Sequence, residues 1–464
     1  MNASSEKAPE IKENKMGVMP IQKLIVNMSV PMMISMLVQA LYNIVDSIFV
    51  AQISEDALTA VTLAFPLQNL MIAVASGTGV GVNALLSKAL GAKEFEKSDK
   101  SANTAVLLAI VSYVVAAILG LTITDPFIRS QTSKASIIGY GDAYLGIVMT
   151  ISFGCFLQIT FERLLQSTGR TILSMVSQLT GAIINIILDP IMIFGLVGFP
   201  KLGVAGAAYA TVIGQIIAAC LGFFMNIHLN HEIHLSLRSI FKPNGKIIRR
   251  IYYVGIPSIL MMSIGSIMTY LMDLILIAFS TTATAVFGVY FKLQSFFFMP
   301  VFGLNNGLIP VLAFNLGAEH KRRIKKALKF ALVLAICVML CGTLTFELFP
   351  GQLLSLFNAS PEMKRMGMVA LRIIAIHFPI AACGIVMGSI FQAFSKSFYS
   401  LMVSLGRQLV VLIPVAWLLS RTGNVNNVWW CFLIAECASF TLSLIFFRKV
   451  YRMVVEPLSD DGVE

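Results

Sequence analysis

The stretch AVTLAFPLQNLMIAVASGTGVGVNALLSKALGAKE, residues 60–94, has a counterpart in AVFGVYFKLQSFFFMPVFGLNNGLIPVLAFNLGAEH, residues 285–320. Gln68, Gly77, Gly81, Gly91 and Ala92 align with Gln294, Gly303, Gly307, Gly317 and Ala318, every pair differing by 226 in position. The same offset joins LQSTGRTILS (165–174) to FQAFSKSFYS (391–400) through Gln166 and Gln392, Arg170 and Lys396, and Ser174 and Ser400. Asp46 and Asp273, both in apolar surroundings, differ by 227. One offset held over about 110 residues describes a unit written twice.

Composition says what kind of unit. Of 464 residues, 57% are hydrophobic and 12% charged, and the mean hydropathy is +0.83; a soluble chain carries about 25% charged residues. Apolar runs long enough to span a bilayer as helix, about 20 residues, recur throughout. They lack the period-two alternation of a membrane barrel. The chain reads as an all-α polytopic membrane protein with twelve spans, near 24–51, 57–87, 102–124, 139–162, 172–197, 203–227, 252–279, 284–316, 328–349, 367–394, 398–420 and 428–447. The segment 1–20 is polar and unlike a cleavable signal, so span 1 is expected to be retained.

Basic residues supply an independent check. With a cytoplasmic N-terminus, Lys and Arg should crowd the N-tail, the even-numbered loops and the C-tail. They do, 24 to 6, with Lys7, Lys12, Lys15 and Lys23 in the tail and Arg163 and Arg170 assigned to the loop after span 4. The same bias accounts for the net charge of +11 through topology and attraction to anionic lipid heads, and leaves nothing that asks for nucleic acid. Six spans per unit is even, so both units enter the membrane in the same sense. The expected architecture is two six-helix lobes related by a pseudo-two-fold axis along the membrane normal. Its divisions are a cytoplasmic N-tail (1–20), an N-lobe (21–227), a basic cytoplasmic linker (228–250), a C-lobe (251–447) and a cytoplasmic C-tail (448–464). Such a plan suits a carrier whose lobes rock about a central site.

An Asp in mid-membrane costs about 2.5–3.5 kcal/mol and is biased towards function. Three qualify: Asp46, Asp189 and Asp273. In AIINIILDPIMIFG, residues 182–195, Asn185 and Asp189 project from one helix face, as Tyr42 and Asp46 do in span 1. Pro190 removes the amide that would bond the Ile186 carbonyl and leaves a further acceptor beside the acid. Two neighbouring carboxylates in low dielectric cannot both stay charged without a proton or a cation, so spans 1 and 5 together would form a switchable cation site. The second unit has Val415 where the first has Asp189, which places the ion chemistry in the first lobe. Asp273 is either a second site or the partner of Lys292, Arg372 or Arg407. Lys292, Gln294, Gln68 and Phe296 are further candidates for a second-lobe or substrate site. The 24 Met and 32 Phe residues suit a pliable pocket wall for flat cations, with Phe296 to Phe298 as lining. Glu436 and His377 are expected to be satisfied structural groups. Seven cysteines without CxxC spacing indicate neither metal site nor disulfide framework.

At YNIVDSIFVA, LQSTGRTILSM, INIILDPIMIFG with GVAGAAYAT, and FQAFSKSFYSLMVSLGRQLVVLIP, the sequence resembles the multidrug and toxic compound extrusion (MATE) family, particularly its MepA-like bacterial members. These pieces run from span 1 to span 11, essentially the whole chain. The resemblance implies V-shaped paired lobes and efflux of organic cations, as in antibiotic resistance, against Na⁺ or H⁺ entry. It needs no cofactor, and implies cationic amphipathic small molecules as partners and a multi-pass bacterial inner-membrane protein, taken as a monomer. In the DinF branch an N-lobe cation site matches Asp46, Asn185 and Asp189; Tyr42 and Tyr144 match further positions, and Thr211 more loosely. The NorM branch uses acids in spans 7 and 10, and span 10 here has none. Two rivals are weaker. A lipid-linked oligosaccharide flippase expects a strongly cationic cavity, and few basic residues lie in the spans. An intramembrane prenyltransferase expects clustered acids for Mg²⁺, as in DDxxD, and the pair Asp460 and Asp461 lies outside the spans. No enzymatic activity is expected.

Overall fold

The computed structural model describes residues 13–357 and 359–459; Lys7, Lys12, Asp460 and Asp461 lie outside the described residues. Within them there are helices and no strands. Ten helices are long and apolar enough to cross a membrane, and two bent pairs bring the spans to twelve. They are α1 (Ile21–Ala51), α2 (Glu55–Gly91), α3 (Phe95–Thr122), α4 (Ala135–Thr150 and Phe153–Ser167), α5 (Thr171–Phe194) and α6 (Val204–His228). Then follow α7 (Gly245–Ile277), α8 (Thr281–Gly317), α9 (Lys321–Leu348), α10 (Pro361–Ala375 and Phe378–Ala393), α11 (Ser397–Ser420) and α12 (Val425–Val455).

The helices overrun their expected spans chiefly at the basic end of the bundle. There α3, α7 and α9 each begin seven residues early, at Phe95, Gly245 and Lys321. Hydropathy marks only the stretch in lipid, whereas helical bonding continues beyond it; the i,i+4 pair Glu96–Lys100 and the pair Glu94–Lys97 carry α3 outward.

The repeat is built into the backbone. Ser54 caps α2 through Ala57 N, and Ser280, its equivalent in the second half, caps α8 through Ala283 N. Left-handed conformations recur at the same offset, at Lys93 (φ 57°) and Glu319 (φ 61°), and at Gly169 (φ 88°) and Ser395 (φ 58°). The bends recur within one residue of it: α4 turns by 48° after Thr150 and α10 by 47° after Ala375.

The two halves meet through α1 against α8, α2 against α7, and α2 against α8. The repeated glycines are what let them meet. A Cβ at Gly77 or Gly81 would fall on the backbone of Ile259 or Ile251 in α7, and one at Gly303 or Gly307 on that of Met33 or Met28 in α1. At the basic end Gly91 and Gly317 close the seam, where a Cβ would collide with the carbonyl oxygens of Phe314 and Lys88 respectively. Side chains never approach backbone so closely, so only glycine fits.

A strap crosses the same end. Asn14 Nδ2 donates to the Thr168 carbonyl (3.1 Å) in the first half and to Glu232 Oε1 (3.0 Å) in the linker. Buried Arg323 of the second half donates to the carbonyls of Met16 (3.0 Å) and Met19 (2.8 Å) and to Asn315 Oδ1 (3.0 Å). Hydrogen bonds to a charged group contribute about 1.5–3 kcal/mol each. Arg323→Met is therefore expected to lower the thermal midpoint and to expose the Lys15 bond to trypsin in the folded protein. Unchanged cleavage would show that the strap is held by something else.

Candidate functional site

The site starts with the i,i+4 spacing of α1 and α5. Packing of these helices puts the Asp46 and Asp189 side chains within hydrogen-bonding reach of each other. An oxygen-to-oxygen hydrogen bond needs a proton on one of them. Asp189 is fully buried, and Asp46 Oδ1 is a buried acceptor without a donor among the described residues. Asn185 links the acid to α6: with its amide oxygen turned to Thr211 it accepts from Thr211 N (3.0 Å) and Oγ1 (3.2 Å) and donates to Asp189 Oδ2 (3.3 Å). Tyr42 and Tyr144 lie beside the acid pair, and Gln68 reaches the Tyr144 hydroxyl. The fold thus unites Asp46, Asp189, Asn185, Thr211, Tyr42 and Tyr144, six side chains from α1, α4, α5 and α6. The oxygens of both acids, Thr211 and, in the other orientation, Asn185 are a donor set that fits a small hard cation or a proton.

The acids sit behind a cavity. Tyr42, Asn185 and Thr211 form part of the lining of a chamber of about 460 Å³, walled across the seam by Met261, Met262, Met299 and Phe302. A second chamber of about 410 Å³ in the second half shares those four residues and adds Tyr290, Gln294, Phe298, His377, Arg407 and Glu436. The Met-rich wall expected from composition is therefore the partition between two adjoining chambers.

Several expectations need correction. Lys292 is exposed on the outer surface and Phe296 lies off both chambers. Gln294, Phe298 and Phe291 take the inner face of α8, and at 100° per residue Lys292 and Phe296 point the other way. Phe297 packs on Phe346, so of the expected trio only Phe298 lines a cavity. Asp273 is half-buried, lines neither chamber and has no ion pair with Lys292, Arg372 or Arg407. Arg407 pairs with Glu436 instead, Nη1 to Oε2 at 3.1 Å. Arg163, assigned to a loop, is inside α4 and lines the first chamber with Glu162. Its Nη1 donates to Gln166 Oε1 (3.0 Å) and to Asn306 Oδ1 (3.1 Å) across the seam.

The model of the MatE family matches the chain twice, at residues 31–191 and 257–418. The chain belongs to the MatE family. The starts of the two matches, positions 31 and 257, reproduce the offset of the internal repeat. The MatE chain is 27% identical over 448 residues to the multidrug export protein MepA of Staphylococcus haemolyticus (strain JCSC1435), covering 96% of this chain and 97% of that one. It is 25% identical over 434 residues to MepA of Staphylococcus aureus (strain MRSA252), covering 93% and 94%. Among solved structures, it superposes with a TM-score of 0.90, at 25% identity, on a multidrug resistance MATE family transporter of the MOP superfamily in an outward-facing conformation. That match covers 96% of this chain and 99% of the other. It is a multi-pass membrane transporter fold with no catalytic apparatus implied. Sequence reasoning missed Glu162 and Arg163 in this MatE chain because the hydropathy minimum they create looks like a span end. The leucines that follow, Leu164 and Leu165, were the available sign that α4 runs on.

Proposed function

We propose that this MatE chain exports cationic, amphipathic small molecules from the cytoplasm in exchange for Na⁺ or H⁺. The observation that carries the reading is the contact between Asp46 and Asp189 behind a cavity wall formed in part by Tyr42, Asn185 and Thr211. The relatives named as multidrug export proteins support the export of drugs.

The acid pair holds at most one unneutralised negative charge comfortably in low dielectric, so it takes up a proton or a cation. Loading it from outside removes the negative field at Tyr42 and Asn185, and a cationic substrate in the first chamber loses its attraction and leaves. Emptying the pair towards the inside restores the charge and favours reloading. The closed glycine seam at the basic end supports a reading in which the two lobes, 21–227 and 251–447, are caught open to the outside. The termini and the linker 228–250 then face the cytoplasm of a bacterial cell, and the monomer is the working unit.

Cells carrying the protein should accumulate less ethidium than cells without it, and Asn185→Leu, which unhooks Asp189 from Thr211, should bring accumulation most of the way back. Equal ethidium levels with and without the protein would refute export of this class.

A further inference from the structure

The second chamber has chemistry of its own. Arg407 lies in a wide π turn, Gly406–Leu412, within α11; such turns are rare and concentrate at functional sites. Its Nη1 is tied to Glu436, but Nε and Nη2 have no acceptor among the described residues, and the side chain is 33% exposed into the chamber. The ion pair keeps the charge of Glu436, 5% exposed, balanced. The free edge of the guanidinium keeps two parallel donors in the geometry that fits a carboxylate. Aromatic rings line the same chamber: His377 stacks on Phe432 at 6.0 Å with the planes 25° apart, Tyr290 meets Phe432 at 5.6 Å, and Phe298 adjoins His377 at 6.2 Å.

The pair has no counterpart at the equivalent positions of the first half. At the repeat offset, the equivalents of Arg407 and Glu436 are Gly181 and Ala210, just as Val415 stands where the first half has Asp189. The two chambers share a wall and each holds an arginine: in the first, Arg163 Nη1 is tied to Gln166 and Asn306 and the acid pair lies behind the lining, whereas in the second the free edge of Arg407 faces the cavity. We infer that the second chamber is a binding site for planar aromatic carboxylates, with the ring against Phe298, Phe432 and His377 and the carboxylate on the free edge of Arg407. This deepens the export reading by naming a second substrate class.

The test is binding by calorimetry to the purified full chain in lipid nanodiscs, with 2-naphthoate, 2-naphthamide and tetraphenylphosphonium as probes. Naphthoate should bind at least tenfold tighter than naphthamide, whose neutral amide matches the guanidinium edge poorly. Arg407→Gln alone would strand Glu436, so the deciding variant is Arg407→Gln with Glu436→Gln, which leaves no buried charge unpaired. It should weaken naphthoate at least tenfold and leave tetraphenylphosphonium unchanged. Equal naphthoate affinity in the double variant, no preference over naphthamide, or loss of tetraphenylphosphonium as well would each overturn the proposal. Because binding is read without transport, a chain that binds naphthoate as expected but exports no cation would sink the export reading alone. Cation export without an Arg407-dependent naphthoate site would sink only this one.

Discussion

Asp189→Asn is expected to reach the membrane in normal amount and to lose at least about 100-fold of its cation export, down to the rate of membranes without the protein. The side chain is fully buried and touches Asp46, so its charge is the switch that the proposed cycle turns on. Moving an Asp charge to mid-membrane is a matter of about 2.5–3.5 kcal/mol, and each 1.4 kcal/mol is about tenfold. Asparagine has the same shape and can still meet Asn185, so packing and yield should hold. Thermal stability should stay level or rise, because a buried acid has gone. Export by Asp189→Asn at more than about a tenth of the normal rate would mean that coupling does not pass through this acid.

The second large effect is expected at the glycine seam. Gly91→Ala with Gly317→Ala drives two methyl groups into backbone carbonyl oxygens of the facing helix. The helix ends must separate, at a cost of about 1–3 kcal/mol per overpacked site. That cost falls only on the conformation closed at the basic end, so the population should move towards opening there by roughly 5-fold or more per site. Spin labels at Lys100 and Lys325, exposed on either side of the seam, should report a longer distance in the double variant. Gly139→Ala, where an added methyl meets nothing within 4 Å, is the control. Unchanged distances would show that the seam yields by local shifts and does not set the resting state.

The same repeated glycines show what the sequence disclosed and what it concealed. Their spacing announced the repeat, and with it a two-unit carrier, because a close backbone approach leaves a residue no alternative. The acids were legible for a similar reason: Asp46 and Asp189 are intolerable in lipid unless they face something, and Tyr42 and Asn185 at i,i±4 said which way. On α8 the choice was invisible. Lys292, Gln294, Phe296 and Phe298 alternate around a helix that is apolar on every side, and only its packing against α1, α9 and α10 decides which face is inward. The bend after Thr150 also left no mark, since the loop at Ile151 and Ser152 holds neither proline nor glycine, whereas Pro379 hints at its counterpart. The Arg407–Glu436 pair needed the fold itself, because its members lie on different helices.

The most direct trial of ion-for-drug exchange uses inverted membrane vesicles, loaded in turn with only a sodium gradient or only a proton gradient, with ethidium uptake as the signal. Uptake should rise under one of the two gradients, vanish when that gradient is collapsed, and be missing from Asp46→Asn and Asp189→Asn vesicles. Ethidium uptake that persists with both gradients abolished, or that survives both substitutions, would contradict exchange at the paired acids.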